Sequence, residues 1–286
     1  MSRSYLFVPG NRPERFAKAA ASGADAIILD LEDSVPTDQR EAAQAAVSAW
    51  QPDPGTRVAT WVRSRPLGTD GLERDLEAAL AGVPAAGIVL PKCEGAEDVL
   101  ELGSMLDRLE RAGGLTPGST AIVAIATETA RAMQRIHSFD RALPRLSGVM
   151  WGAEDLASGL GLRSLRDEDG AWLSPAIAAR NAALLAAVAC GADPIDTPYT
   201  RVSDPAGLVS EMRAHARMGF TAKAAIHPSQ VAGIHEGLRP ARADIDWARA
   251  VIEALEDGRK AAALLDGAMI DVPHLTVARR IVAAAG

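Results

Sequence analysis

A short apolar run, Ala26 to Leu29, ends in three carboxylates, Asp30, Glu32 and Asp33. The run is too short for a typical helix and follows a Ser22-Gly23 breaker, so it reads as a buried strand. A buried strand that ends in acid faces a metal, a cationic ligand or a proton to be moved. The competing reading is a solvated or helix-capping set in a strand-to-loop turn. Other apolar runs also end in polar residues: Arg63, Lys92, Glu128, Asp155, Asp196 and His227.

Two separated carboxylates, completed by water and ligand oxygens, are how Mg2+ is normally held. Glu128 and Asp155 are the pair selected here as its direct ligands. An acidic first-turn residue of the next helix is the alternative for each. Asp30, Glu32 and Asp33 then form a supporting shell that orders water and orients Arg63. A guanidinium at the Arg63 position would fix a carboxylate bidentately and stabilise an enolate as it forms; its alternative is a salt bridge to the second-strand acids. Lys92 would need desolvation or a neighbouring cation to serve as a Schiff-base amine. The carboxylates around it work against that. Cys93 reads as a packing residue, because no His–Cys arrangement accompanies it. His227 lacks a partner and is given no catalytic role.

These residues need a frame that brings strand ends together. Strand-like runs occur at Ser4–Val8, Ala26–Leu29, Val58–Val62, Gly87–Leu90, Ala121–Ala126, Gly148–Trp151, Pro194–Asp196 and Lys223–Ile226. Helical patterns alternate with them, which implies parallel pairing. Eight such repeats imply an α/β fold of the closed (β/α)8 TIM barrel type, with its site at the C-terminal strand ends. No Gly-x-Gly-x-x-Gly turn supports an open doubly wound sheet instead. On this reading, residues 1–240 are the barrel and 241–286 a C-terminal helical extension at a subunit interface. Within the extension, Asp244–Leu265 reads as a helix, Asp266–Asp271 as a Gly-containing loop and His274–Ala285 as a last helix. Lys223 begins the eighth strand, which would point it to the far end of the barrel. Arg163–Gly170 reads as a charged loop that interrupts the pattern.

The chain has 286 residues and a net charge of −7. That balance argues against a general nucleic-acid binder. Apolar content of 48% with 23% charged residues suits a globular protein. Two distant cysteines, with no Cys-x-x-Cys spacing, indicate neither a zinc site nor a disulfide framework. No signal peptide or membrane-spanning run is evident, which gives a cytoplasmic expectation.

Together the motifs resemble the citrate lyase β-subunit-like family, which includes malyl-CoA and citramalyl-CoA lyases within the HpcH/HpaI aldolase superfamily. The resemblance runs through Arg3–Asn11, Leu29–Asp33, Val62-Arg63, Leu90–Lys92, Glu128–Ala130, Gly152–Leu156, Gly219–Lys223, Ile226–Pro228 and Asp266–Asp271. It implies a (β/α)8 fold, a homotrimer or hexamer, Glu128 and Asp155 as Mg2+ ligands, and Arg63 as the substrate-binding, enolate-stabilising arginine. It also implies Phe7 and Lys18 on the substrate side, with Lys18 toward coenzyme A, and Asp271 as a catalytic aspartate supplied by a neighbouring subunit. Two departures stand out. Arg65 occupies a position where family members often carry Asn, and the Arg163–Gly170 loop is charged.

The implied activity is Mg2+-dependent cleavage, or formation, of a 3-hydroxyacyl-CoA thioester to a 2-oxo acid (oxaloacetate, glyoxylate or pyruvate type) and an acyl-CoA. Arg63 would stabilise the enolate and Asp271 protonate its carbon. Three rivals remain at this point: a citryl lyase β subunit acting on acyl-carrier-protein thioesters, an aldolase on free 2-oxo acids, and an inactive ligand-binding barrel.

Overall fold

The computed structural model describes residues 2–81 and 85–285. Eight parallel strands close into a barrel in sequence order. β1 (Ser4–Pro9) leads to α1 (Phe16–Ala20), β2 (Ala26–Asp30) to α2 (Arg40–Ser48), and β3 (Ala59–Arg63) to α3 (Leu72–Leu80). β4 (Gly87–Leu90) precedes α4 (Ala96–Ala112), and β5 (Ala121–Ile125) precedes α5 (Ala130–Arg135). β6 (Leu146–Met150) is followed by α6 (Glu154–Gly159) and α7 (Ser174–Cys190). β7 (Asp193–Asp196) leads to α8 (Pro205–Met218), and β8 (Ala222–Ala225) to α9 (Val231–Leu238). β8 pairs back onto β1, Ser4 opposite Lys223.

Strand residues alternate between the two faces. Ala26 and Ile28, Trp61, Val89, Val123 and Ile125, Met150, Ile195, and Ala222 and Ala224 make one apolar cluster that fills the barrel. Their intervening neighbours face the helices. This parity places Asp30 two residues beyond Ile28 and Arg63 two beyond Trp61, so both side chains point inward at the mouth.

The same parity corrects two expectations. Ile195 is inside, so Asp196 is outside, beneath α8, rather than at the mouth. Lys223, between Ala222 and Ala224, is also directed outward rather than to the far end. Its Nζ meets Asp196 at 2.6 Å and Glu211 of α8 at 3.3 Å. Asp196 further accepts from Trp151 Nε1 at 2.7 Å and contacts His215 Nδ1 at 2.8 Å. Asp196, Glu211 and His215 are spaced as a metal triad would be, and the Lys223 ammonium already bonds both of its carboxylates.

The chain divides into two compact units between Ile234 and His235, inside α9. In the second unit, α10 (Arg242–Ala254) packs on α11 (Val272–Ala285) around Val251, Leu255, Leu275 and Ala278. The helix expected over Asp244–Leu265 stops at Ala254. Glu256, Asp257 and Gly258 then turn left-handed (φ 48°, 53° and 97°), which ends it. Residues beyond form a hairpin of β9 (Ala262–Leu265) and β10 (Ala268–Asp271). Asp266 and Gly267, both at positive φ (48° and 81°), make the two-residue turn that matches the twist of paired strands. The expected loop is therefore a turn plus a strand. Among the described residues, no helix is long and apolar enough to cross a membrane.

Candidate active site at the barrel mouth

Asp30 and Arg63 are register partners on β2 and β3. Arg63 donates from Nε to Asp30 Oδ1 and from Nη2 to Oδ2, both at 2.7 Å. Burial alone would raise the Asp30 pKa, but the Arg63 charge and its hydrogen bonds more than offset this and hold it below the usual carboxylate range. Arg63, in turn, is held firmly protonated by Asp30 despite its burial. The guanidinium lies 5.0 Å from the centroid of the Phe7 ring. A guanidinium carries five N–H donors, so Nη hydrogens remain for a ligand.

Glu32 follows β2 and is buried. Its Oε2 lies 3.0 Å from Arg63 Nη1 but has no hydrogen-bond partner. Its Oε1 accepts from Lys92 Nζ. Burial raises the Glu32 pKa to about 7, even against the pull of Arg63 and Lys92. Asp33 is more exposed and accepts from Lys92 Nζ at 3.3 Å.

Glu128, just beyond β5, is buried. Its Oε2 accepts the Lys92 main-chain N–H at 2.5 Å. Burial, followed by the charges of Asp155 and Glu32, pushes its pKa up to about 8, although the Lys92 hydrogen bond opposes this. Gly152 makes room for it: a Cβ there would lie 2.4 Å from Glu128 Cγ. Asp155, in the first turn of α6, lies 3.8 Å from Lys92 Nζ.

The mouth thus gathers Asp30, Glu32, Asp33, Glu128 and Asp155 against Arg63 and Lys92. Five carboxylates face two cations, and two of the buried acids are pushed toward neutrality. An all-oxygen donor set with excess negative charge, and a buried Glu32 oxygen lacking a partner, fits a hard divalent cation. Glu128 and Asp155 are the carboxylates of this group that no side-chain cation hydrogen-bonds among the described residues.

Lys92 is the residue that sequence reasoning set aside. Burial lowers its pKa, but Glu32, joined by Asp155 and Glu128, more than offsets this, so it stays charged, which suits an electrostatic role and not Schiff-base chemistry. Its Leu-Pro-Lys setting marked the strand end but not this bridging position. Cys93 donates to Gly95 O at 3.4 Å, and burial pushes its thiol up to about 12, as expected for a packing residue. His227 caps the turn after β8, with Nδ1 2.7 Å from Ser229 Oγ.

Other expected residues belong to other elements. Lys18 is exposed on α1, outside the cluster. Asp271 ends β10 in the second unit, where its Oδ1 lies 2.6 Å from His274 Nδ1. Arg65 is turned onto Asp75 (Nε to Oδ2 2.8 Å, Nη2 to Oδ1 2.9 Å) and the carbonyls of Asp70 and Gly71. It braces the β3–α3 loop. The Arg163–Gly170 stretch is pinned, too. Arg166 bridges Trp172, stacks 3.4 Å from its ring centroid and pairs with Glu211. Trp172 meets Trp151 edge to face at 5.1 Å, so the loop braces the end of β6.

The chain matches known proteins across the barrel and beyond. The family model described as HpcH/HpaI aldolase/citrate lyase matches residues 3–228. A citrate lyase subunit beta-like protein of Mycobacterium tuberculosis is 40% identical over 282 residues, covering 99% of this chain and 95% of that protein. An L-malyl-CoA/beta-methylmalyl-CoA lyase of Cereibacter sphaeroides is 32% identical over 299 residues, covering 98% and 93%. A crystal structure of M. tuberculosis CitE with magnesium, acetoacetate and coenzyme A superposes with a TM-score of 0.83 at 37% identity, covering 99% of this chain and 97% of that one.

Proposed function

The chain belongs to the HpcH/HpaI aldolase/citrate lyase family, and from that premise we propose that its mouth cluster performs the carbon–carbon bond chemistry of a Mg2+-dependent CoA-ester lyase. The observation that carries this reading is the bidentate Arg63–Asp30 pair set beside the Glu128 and Asp155 carboxylates. The substrate class is a 3-hydroxyacyl-CoA thioester such as malyl-CoA or citramalyl-CoA. The products are a 2-oxo acid and an acyl-CoA.

Glu128 and Asp155 would hold the metal, with water and substrate completing its shell. Mg2+, when bound, supplies a Lewis acid and a template for the substrate's carboxylate and hydroxyl oxygens. Transfer of the hydroxyl proton to solvent water lets that oxygen form the carbonyl of the 2-oxo acid while the bond between the carbinol carbon and the thioester α-carbon breaks, its electron pair remaining as a thioester enolate. Arg63, rigid on Asp30, offers its remaining Nη hydrogens to the enolate oxygen. Phe7 backs the guanidinium. Asp271 in its acid form protonates the α-carbon. In this reading it comes from a neighbouring subunit of a homotrimer or hexamer, with His274 fixing its carboxyl.

Coenzyme A as carrier is supported by its presence in the M. tuberculosis structure, with Lys18 on α1 a contact for it. A cytoplasmic setting suits both this substrate and the two unpaired thiols.

A panel of malyl-CoA, citramalyl-CoA, citryl-CoA, citryl acyl-carrier-protein and free 2-oxo acids, each with Mg2+ or EDTA, tests the reading. Mg2+-dependent turnover of a CoA ester by the purified chain is expected. Turnover only of acyl-carrier-protein thioesters would instead favour a citrate lyase β-subunit role. Turnover only of free 2-oxo acids would favour an aldolase, and none at all an inactive barrel.

A further inference from the structure

Lys92 holds a left-handed backbone, φ 50°, which side-chain-bearing residues adopt infrequently. Its two donors go to different acids of the mouth. The main-chain N–H goes to Glu128 Oε2 at 2.5 Å. The ammonium goes to Glu32 and, at 3.3 Å, to Asp33. It remains 3.8 Å from Asp155 Oδ2, beyond hydrogen-bond distance. Arg63 takes Asp30. The side-chain hydrogen bonds of the two cations therefore go to the β2 acids, while Glu128 and Asp155 feel their charge without a side-chain hydrogen bond from either.

We infer that Lys92 is a positioning residue that partitions the acidic mouth, so that a divalent cation is placed on Glu128 and Asp155 and not on Glu32 and Asp33. This rests on the reading of Glu128 and Asp155 as the metal's ligands. Mg2+ takes one or two carboxylates and keeps places for water and substrate. Five carboxylates without an ordering cation offer it several competing pairs. A lysine suits the task because its charge is compact.

Lys92→Met tests this, because it keeps the side-chain length, the main-chain N–H and the same left-handed backbone. Mg2+ binding by calorimetry, thermal melting in EDTA and in Mg2+, and steady-state kinetics are compared with the unaltered chain. Without metal, the variant melts lower, because Glu32 and Asp33 lose their counter-charge; Mg2+ restores most of the deficit. Mg2+ binds about threefold tighter or more, since a like charge 3.8 Å from Asp155 is gone. Turnover nonetheless falls about tenfold or more, because the metal is misplaced relative to Arg63. Affinity and turnover moving in opposite directions is a signature that simple loss of structure does not produce. Lys92→Gly, which relieves the backbone while removing the ammonium, shows the same divergence and serves if the Met variant fails to fold.

Mg2+ binding no tighter than in the unaltered chain, full turnover, or a melting deficit that Mg2+ leaves in place overturns the inference. Asp155→Ala run in parallel separates the two ideas. If it leaves Mg2+ binding unchanged, the ligand assignment fails and the role of Lys92 falls with it. If it removes tight binding while Lys92→Met matches the unaltered chain, only the Lys92 inference fails.

Discussion

Arg63 and Asp30 sit opposite each other in the β2–β3 register and are joined by two parallel 2.7 Å hydrogen bonds. The pair turns a flexible side chain into a fixed fork at the mouth. Arg63→Lys would keep the charge and lose the fork, because an ammonium cannot bond both Asp30 oxygens in the guanidinium's geometry. The expected result is a loss of about 100-fold in kcat, in line with removing one anion-stabilising donor. Steady-state kinetics of a soluble, folded variant check it. A variant within about threefold of the unaltered kcat would remove Arg63 from the enolate-stabilising role.

Glu32 and Glu128 have pKa values of about 7 and about 8 when no metal is present. Both lie above the unfolded value of a glutamate, so the stability these groups allow is full below about pH 4.5 and is lost as pH rises through about 7 to 8. A divalent cation would oppose that loss by stabilising the ionised forms. The stabilisation by Mg2+, read as the melting temperature in Mg2+ minus that in EDTA, should therefore grow between about pH 5 and pH 8. A difference that stays flat across this window would contradict the placement of the metal beside these acids.

Asp196 is fully buried and binds Lys223, His215 and Trp151. Asp196→Ala would leave the Lys223 ammonium in the outer layer with Glu211 at 3.3 Å as its remaining carboxylate. The expected cost is about 3–5 kcal/mol, the penalty of removing one member of a buried ion pair. Chemical denaturation measures it, and a cost below about 1 kcal/mol would show that the layer relaxes or admits water.

Asp271 lies in the second unit, with His274 at hydrogen-bond distance. Asp271→Asn keeps its shape and removes its acid. With a confirmed thioester, kcat should drop about 100-fold or more, while Mg2+ affinity stays unchanged. A mixture of inactive Asp271→Asn and inactive Arg63→Lys chains should regain activity if the aspartate crosses between subunits. No recovery after mixed refolding would place both residues in one chain's site.

Much of this was legible in the sequence because its cues are local. Short apolar runs closed by turn residues marked all eight strands, and their number implied closure. The errors arose where a second cue competed. Asp196 was placed at the mouth because it ends a strand, although the alternation of Ile195 with Asp196, and of Ala222 with Lys223, carries the opposite information. Ala261 to Leu265 are good helix formers, and that propensity favoured a helix up to the Asp266–Asp271 loop, where the chain instead pairs as strands on either side of an Asp-Gly turn. The candidate site residues Asp30, Glu32, Asp33, Arg63, Glu128 and Asp155 were found from strand ends. Their pairing was not, because register between strands is a tertiary quantity. The left-handed turn at Lys92 has no signature either, since Lys is not a residue that such positions select.

The central claim is that the barrel mouth is a metal-dependent lyase site. The most direct test is release of the 2-oxo acid from the best CoA thioester of the panel, followed in EDTA and then during back-titration with Mg2+. The unaltered chain should show negligible release in EDTA and saturable recovery with Mg2+, and Asp155→Ala no recovery over the same range. Full release in EDTA, or equal recovery by Asp155→Ala, would contradict it.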